Sequence, residues 1–246
     1  MILGVAAATN EPAPLSARST VLSLMLGTHP EPLTSAHLRR AGQFFDIEPG
    51  TVRVATARAV ADGDLVRSDD GYRLGARLLR RQQHQAEAVR DTESPWDGKW
   101  EMAVVVVTGR SGPERAALRE SLNEHRLAEL KEGIWTRPAN LQRPRDYATN
   151  PVLRTFIARA EQDPRELAEM LWPLPAWADE AEQLLAAWDR AQLPATRLAS
   201  AARMVRHLAS DPLLPSELLP ADWPAETLRD AYLRYQEELR GLVRRG

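Results

Sequence analysis

The ten residues LVRSDDGYRL, 65 to 74, set an Asp-Gly step between two short apolar runs, directly behind three short helical patterns. Asp-Gly at such a place favours a tight antiparallel turn, because glycine reaches backbone angles closed to other residues. The first helical pattern, ARSTVLSLMLGT, holds Val21, Leu22, Leu24, Met25 and Leu26 and stops at Gly27. HPEPLT is a proline-broken loop, and Thr34 then caps SAHLRRAGQFF, where Leu38, Ala41 and Phe45 recur at helical spacing. After DIEPG, TVRVATARAVADG turns Val52, Ala55, Ala59 and Val60 inward and stops at Gly63. Three helices and a hairpin in this order predict a winged helix-turn-helix, whose third helix enters the major groove. Its outward side would carry Thr51, Arg53, Thr56 and Arg58, types suited to phosphate and guanine contacts. A small helical domain whose arginines only solvate a face has the same pattern. Periodicity alone leaves both readings open.

Charge adds a hint. The formal net charge of the whole chain is −2, but residues 16 to 90 hold eleven Arg against eight acidic residues. The chain has 246 residues, enough for one large domain or two to three small ones, and it is rich in helix formers. It contains no cysteine, which excludes disulfides, thiolate zinc sites and cysteine nucleophiles and fits a reducing cytoplasm. The start, MILGVAAATNEPAPLS, lacks a basic region and is expected to be a flexible lead-in, not a cleaved signal. No apolar run approaches membrane-spanning length, so a cytoplasmic protein without a membrane partner is expected.

Residues 77 to 93 read as a polar helical linker. SPWDGKW follows, with Trp96 and Trp100 around a turn, and WEMAVVVVT is a buried strand. GPERAALRESLNEHRLAEL is read as one amphipathic helix with Leu118, Leu122 and Leu127 inward. EGIWTRPANL and PVLRTFIARAEQ give two more strands, the latter alternating around Leu153, Thr155 and Ile157. DPRELAEMLW opens with Asp163 as cap, Pro164 at the first helical position and Glu166 closing a capping box. The order β-α-β-β-α predicts a ferredoxin-like α+β sandwich that lacks at most an edge strand. From Pro175 the pattern is helical, interrupted by DPLLPSELLPADWP, whose leucines and Trp223 call for burial, by packing or in shaping a dimer or ligand surface.

Sequence motifs for catalysis are missing. The five histidines have no metal-ligand spacing, no glycine-rich phosphate loop occurs, and TGRSGP lacks the spacing of a nucleophile elbow. No cofactor, metal or catalytic residue is therefore assigned, and an enzyme is not expected.

Three segments carry a resemblance: SPWDGKW (94–100), KEGIWTRPANL (131–141) and SDPLLPSELLPADWP (210–224), with LAEMLWPLP ahead of the last. The sequence resembles the PaaX-like repressors, which regulate phenylacetic acid degradation in bacteria. The resemblance implies an α+β multidomain chain. A lead-in (1–15) precedes a winged helix-turn-helix (16–76) and a helical linker (77–95). A ferredoxin-like dimerisation domain (96–173) and a helical C-terminal domain (174–246) follow. It implies a homodimer that binds palindromic operator DNA and releases it on binding an effector, phenylacetyl-coenzyme A in the best-known members. Arg53 and Arg58 stand where the family's recognition helix has arginines; Arg58 is either a DNA contact or a buried brace. Arg67 and Arg73 flank an acidic tip, Asp69 and Asp70, and are expected to touch the backbone. Ala59 and Asp64 depart from the family pattern, which predicts looser packing between helix and wing. A coenzyme A thioester needs cations and an apolar slot, and Trp96, Trp135, Arg137, Arg143 and Arg145 are its candidates; a solvated basic loop is the plainer reading. Two alternatives stay open: a winged helix that binds a protein partner, and a metal-dependent nuclease like the small CRISPR-associated ferredoxin-like enzymes. The nuclease is disfavoured, because the first strand ends in VVVVTGR without an acid.

Overall fold

The computed structural model describes residues 12–89 and 94–245. Residues 1–11 of the expected lead-in and 90–93 of the expected linker lie outside the described residues. The chain runs α1 (Ala17–Thr28), α2 (Ser35–Phe44), α3 (Pro49–Ala61), β1 (Leu65–Ser68), β2 (Gly71–Leu74) and α4 (Ala76–Val89). It continues with β3 (Lys99–Val105), α5 (Gly112–Glu124), β4 (Ala128–Lys131), β5 (Ile134–Pro138), β6 (Leu153–Arg159) and α6 (Pro164–Leu171). Three helices close it: α7 (Leu174–Arg190), α8 (Pro194–Ala209) and α9 (Ala225–Arg245). The fold is mixed α and β, with two small sheets among the described residues. None of the helices searched among them is long and apolar enough to cross a membrane. Contacts divide the chain into two compact units. One comprises Met1–Val89, Glu180–Ala209 and Pro224–Gly246; the other comprises Arg90–Asp179 and Ser210–Trp223.

In the first unit, caps place the early helices. The Ser16 hydroxyl accepts from the Ser19 amide, and the Thr34 hydroxyl accepts from the His37 amide. Val21, Leu24 and Met25 of α1, Leu38 and Ala41 of α2, and Val52, Ala55 and Ala59 of α3 share one core. Tyr235, Leu239 and Val243 of α9 and Leu198 and Ala201 of α8 enter the same core. The stretch 174–246, read from sequence as a domain of its own, thus places its last helices against α1–α3. Gln236 and Arg240 donate to the Gly27 carbonyl at 3.4 and 3.2 Å, satisfying an orphan group at the end of α1. Helix α4, read as a linker, buries Leu78, Gln85 and Ala88 and packs along α8.

Helix α3 can press close to α2 because Gly42 has no side chain. A Cβ there would overlap Val52 Cγ2. Gly42→Ala is expected to cost about 1–3 kcal/mol through overpacking, read as a lower urea midpoint with an unchanged slope.

The hairpin turn falls one residue earlier than Asp70-Gly71. Ser68 pairs with Gly71, so Asp69 and Asp70 make the turn. Gly71, at φ 139°, is required for another reason: Leu33 and Tyr72 exchange backbone hydrogen bonds of 3.1 and 2.9 Å. A Cβ on Gly71 would stand 2.7 Å from the Leu33 oxygen.

Asp64, expected to loosen this region, is 2% exposed and clamps it. Arg18 of α1 meets its carboxylate at 2.6 Å, Arg77 of α4 meets the other oxygen, and Arg18 also reaches Asp62. Burial pushes the Asp64 pKa up, but hydrogen bonds from Arg18 and Arg77 prevail and hold it below the usual carboxylate range. The folded value is the lower one, so its stabilisation is complete above the unfolded value of about 3.9 and fades as pH falls through the folded value. Asp64→Asn is expected to cost roughly 1–2 kcal/mol at neutral pH, since both arginines can rehydrate. Urea unfolding at pH 7 and at pH 3 should show the gap to the wild type closing in acid.

The second unit holds an antiparallel sheet in the order β4-β5-β3-β6. Ser111 and Glu114 form a capping box at α5, and Asp163 caps α6 through the Arg165 amide. Helix α5 ends at Glu124, earlier than expected, and Ala128–Lys131 forms edge strand β4 paired with β5. That is the edge strand missing from the sequence reading. Leu118 and Leu122 of α5 pack with Leu127, Ala103, Trp135, Tyr147 and Leu153. Ile157, expected inward, is 45% exposed because β6 is the opposite edge. A second cluster gathers Trp100, Leu167, Leu174, Leu214 and Leu218, with Trp96, Trp172 and Trp223 against it. Trp223 stacks on Trp177 at 4.4 Å between ring centroids. The proline-punctuated segment is packing, as its composition predicted.

Candidate nucleic-acid interface

Helix α3 buries Val52, Ala55, Thr56 and Ala59, which leaves one outward stripe. Thr51, Arg53, Val54, Ala57 and Arg58 are all exposed on it. Arg53 and Arg58 make no ion pair or hydrogen bond among the described residues, and Arg58 is not the buried brace that stood as its other reading. Both guanidiniums keep a full fork of donors for an outside acceptor. Val54, 47% exposed between them, is an apolar group of the kind that meets a thymine methyl. Thr56 is a correction. It is 5% exposed and its hydroxyl donates to the Val52 carbonyl at 2.8 Å, so it faces the core and reads nothing.

The hairpin arginines differ. Arg73 is tied to the Asp70 carboxylate at 2.6 Å and to the Pro30 carbonyl at 3.3 Å. Asp70 also accepts from the Ser68 hydroxyl, and that bond, with Arg73, holds its pKa below the usual range. One of the two tip acids is therefore neutralised locally, at the expense of Arg73. Arg67 lies over the Tyr72 ring at 5.9 Å, which steadies its stem while both residues stay partly in solvent. Arg39 and Arg40 of α2 are exposed as well. The sequence reading passed over them, although they directly follow the inward Leu38.

The five residues considered for an effector do not converge. Trp96 donates its Nε1 hydrogen to the Lys99 carbonyl at 2.6 Å and packs edge-on against Trp100. Trp135 belongs to the other core cluster, beneath α5. Arg137, expected to meet phosphate, is wholly buried. It donates to the carbonyls of Pro138 and Leu213 at 3.0 and 3.1 Å and to Asn140 Oδ1 at 2.9 Å. Burial, then repulsion from Arg143, pushes its pKa down to about 9, so it stays protonated at neutral pH. Arg143 donates to the His125 carbonyl at 2.6 Å and lies 3.6 Å from the buried Glu101, which also accepts from the Tyr147 hydroxyl. Arg145 is exposed. Arg137 and Arg143 are thus structural, because inward cations on and just after β5 find carbonyl and carboxylate partners there. Among the described residues no group of three or more acidic or histidine side chains could hold a metal ion.

Three family models match the chain: a PaaX-like protein model over residues 16–78, the PaaX protein central Cas2-like domain over 93–167, and the PaaX-like protein C-terminal domain over 166–245. No curated protein matches significantly. Among solved structures, the uncharacterized protein Rv0674 from Mycobacterium tuberculosis is similar at 43% identity, with a TM-score of 0.79. The match covers 93% of this chain and 97% of that one. Since the three models follow one another from residue 16 to residue 245, the chain belongs to the PaaX-like family of transcriptional regulators.

Proposed function

We propose that the protein is a sequence-specific DNA-binding repressor, not an enzyme, that acts in the cytoplasm as a homodimer on palindromic operators. The observation that carries this is the outward stripe of α3, where two unpaired arginines flank an exposed valine on a helix whose other face is core. The order of three helices and a hairpin, with Leu33 paired to Tyr72, supports a winged helix-turn-helix over 16–76. The strand order β4-β5-β3-β6, antiparallel throughout, supports a ferredoxin-like domain over 96–173, and residues 174–246 form the C-terminal part. Arg53 and Arg58 read base edges, Thr51, Arg39 and Arg40 hold phosphates, and Arg67 meets the backbone beside the hairpin. Two copies of α3 then enter major grooves about one helical turn, roughly 34 Å, apart.

Release follows from an effector with higher affinity for the DNA-free arrangement, since equal affinity for both arrangements shifts nothing. An aryl-acyl-coenzyme A thioester such as phenylacetyl-coenzyme A is that effector. The test is binding of the full chain to a labelled fragment of its own upstream region, with excess competitor DNA, before and after adding the thioester. Specific binding lost on addition is the expected result. Failure to bind there and at neighbouring genes would remove the repressor reading and favour a protein partner for the α3 face.

A further inference from the structure

The second unit contains a cleft that includes only Trp135 of the five effector candidates from sequence. It lies between the first turns of α5, the chain after β3 and the β4–β5 hairpin, with a volume of about 1090 Å³. That is slightly above the usual range of small-ligand sites, about 300–1,000 Å³. Four cations stand around it, Arg110, Arg115, Arg119 and Lys131, against two carboxylates, Glu129 and Glu132. Arg119 is already matched by Glu129 at 2.6 Å, and Glu129 also accepts from the Gly133 amide. Arg110, Arg115 and Lys131 form no ion pair among the described residues; Glu132 is the other acid of the lining, and Glu114 at the start of α5 feels the charge of Arg110. Arg115 is steadied by donating to the Arg110 carbonyl at 3.1 Å.

Apart from Thr108, the rest of the lining is apolar. Val105, Val107, Leu118 and Trp135 line it, and the Arg119 guanidinium lies over the Trp135 ring at 5.3 Å. Cations grouped around an apolar lining fit a ligand of two chemistries. Its phosphates meet Arg110, Arg115 and Lys131, and its acyl or aromatic group lies along the valines and the stacked Arg119–Trp135 pair.

We propose that this cleft binds a small phosphorylated organic anion carrying an apolar group. As the site of the effector it rests on the repressor reading above; as a binding site it does not.

The test is calorimetric titration of the full chain with phenylacetyl-coenzyme A, coenzyme A, pyrophosphate and phenylacetate, alone and in 0.5 M salt on the order used to screen exposed charges. The phosphorylated probes are expected to bind, the thioester tightest, with affinity falling in salt. Arg115→Glu with Lys131→Glu, both at exposed positions, should weaken the thioester at least tenfold while circular dichroism and melting stay unchanged. Arg145→Glu, outside the cleft, should bind as the wild type does. Three outcomes overturn the proposal: no phosphorylated probe binds, the double variant binds normally, or phenylacetate binds as tightly as its thioester. Thioester binding that the double variant loses, without operator release, keeps the cleft and removes the effector-released mechanism. Operator binding with no probe bound removes the cleft and the thioester effector and keeps the DNA-binding reading.

Discussion

Replacing Arg53 and Arg58 together by alanine is expected to weaken operator binding by roughly a hundredfold or more, since each bidentate arginine–guanine contact is worth about 1–3 kcal/mol. Stability should stay within about 0.5 kcal/mol of the wild type, the usual range for surface substitutions without a structural partner. Both side chains are exposed, and neither holds another residue among those described. Fluorescence anisotropy on operator and on unrelated duplex separates the two ways an arginine can act. A base-reading arginine costs specific binding far more than nonspecific binding. A phosphate-binding arginine weakens both alike and reduces the salt slope by about 0.9 per contact. Arg53→Lys refines this, because a lysine keeps the charge and loses the planar fork. Thr56→Ala is the control on the opposite side of the helix, where the hydroxyl only returns to the Val52 carbonyl. If the double alanine variant binds operator like the wild type, α3 is not the reading helix.

Arg137→Ala is expected to destabilise the protein by roughly 3 kcal/mol or more, because each buried acceptor left without its donor costs about 1–3 kcal/mol. The guanidinium is fully buried, and it donates to Pro138, Asn140 and the Leu213 carbonyl. Leu213 sits at φ 49°, in the left-handed region that a β-carbon disfavours, and its carbonyl is held from two sides, by Arg137 and by Asn140 Nδ2. Truncation removes the donors, leaves a cavity and releases the strained residue at once. Urea unfolding followed by tryptophan fluorescence checks it, since Trp100, Trp135, Trp172 and Trp223 all belong to this unit. Arg137→Lys should recover only part of the loss, because one ammonium cannot span the same acceptors. A wild-type midpoint for Arg137→Ala would return this residue to the list of available ligand contacts.

Both results turn on a side chain whose setting differs from that of its neighbours in sequence. Thr56 and Arg58 both read as outward positions of α3, yet one is core and the other is solvent. Small residues such as threonine fit either side of a helix boundary, whereas Val52, Ala55 and Ala59 mark the inner face without ambiguity. Ala128–Lys131 reads as the end of a helix because Ala, Glu, Leu and Lys favour one. Pairing with β5 makes it a strand, since β-structure depends on a partner that propensity does not see.

Caps, turns and helix periods act over a few residues, so Thr34, Asp163 and the hairpin at Asp69–Asp70 were legible, to within a residue, in the chain itself. The order of the elements, β4 apart, followed from them, and so did the basic outward face of α3. The fate of Arg137 did not, because one of its acceptors is 76 residues away. Nor did the clamp on Asp64, which needs Arg18 from 46 residues before it, or the α9 stripe in the core of α1–α3. The cleft beside Trp135 belongs to the same class: its cations come from a loop, a helix and a hairpin that are brought together only when the sheet closes. Short-range chemistry selects the elements, and desolvation at contacts between distant segments decides which of their charged groups remain available to a ligand.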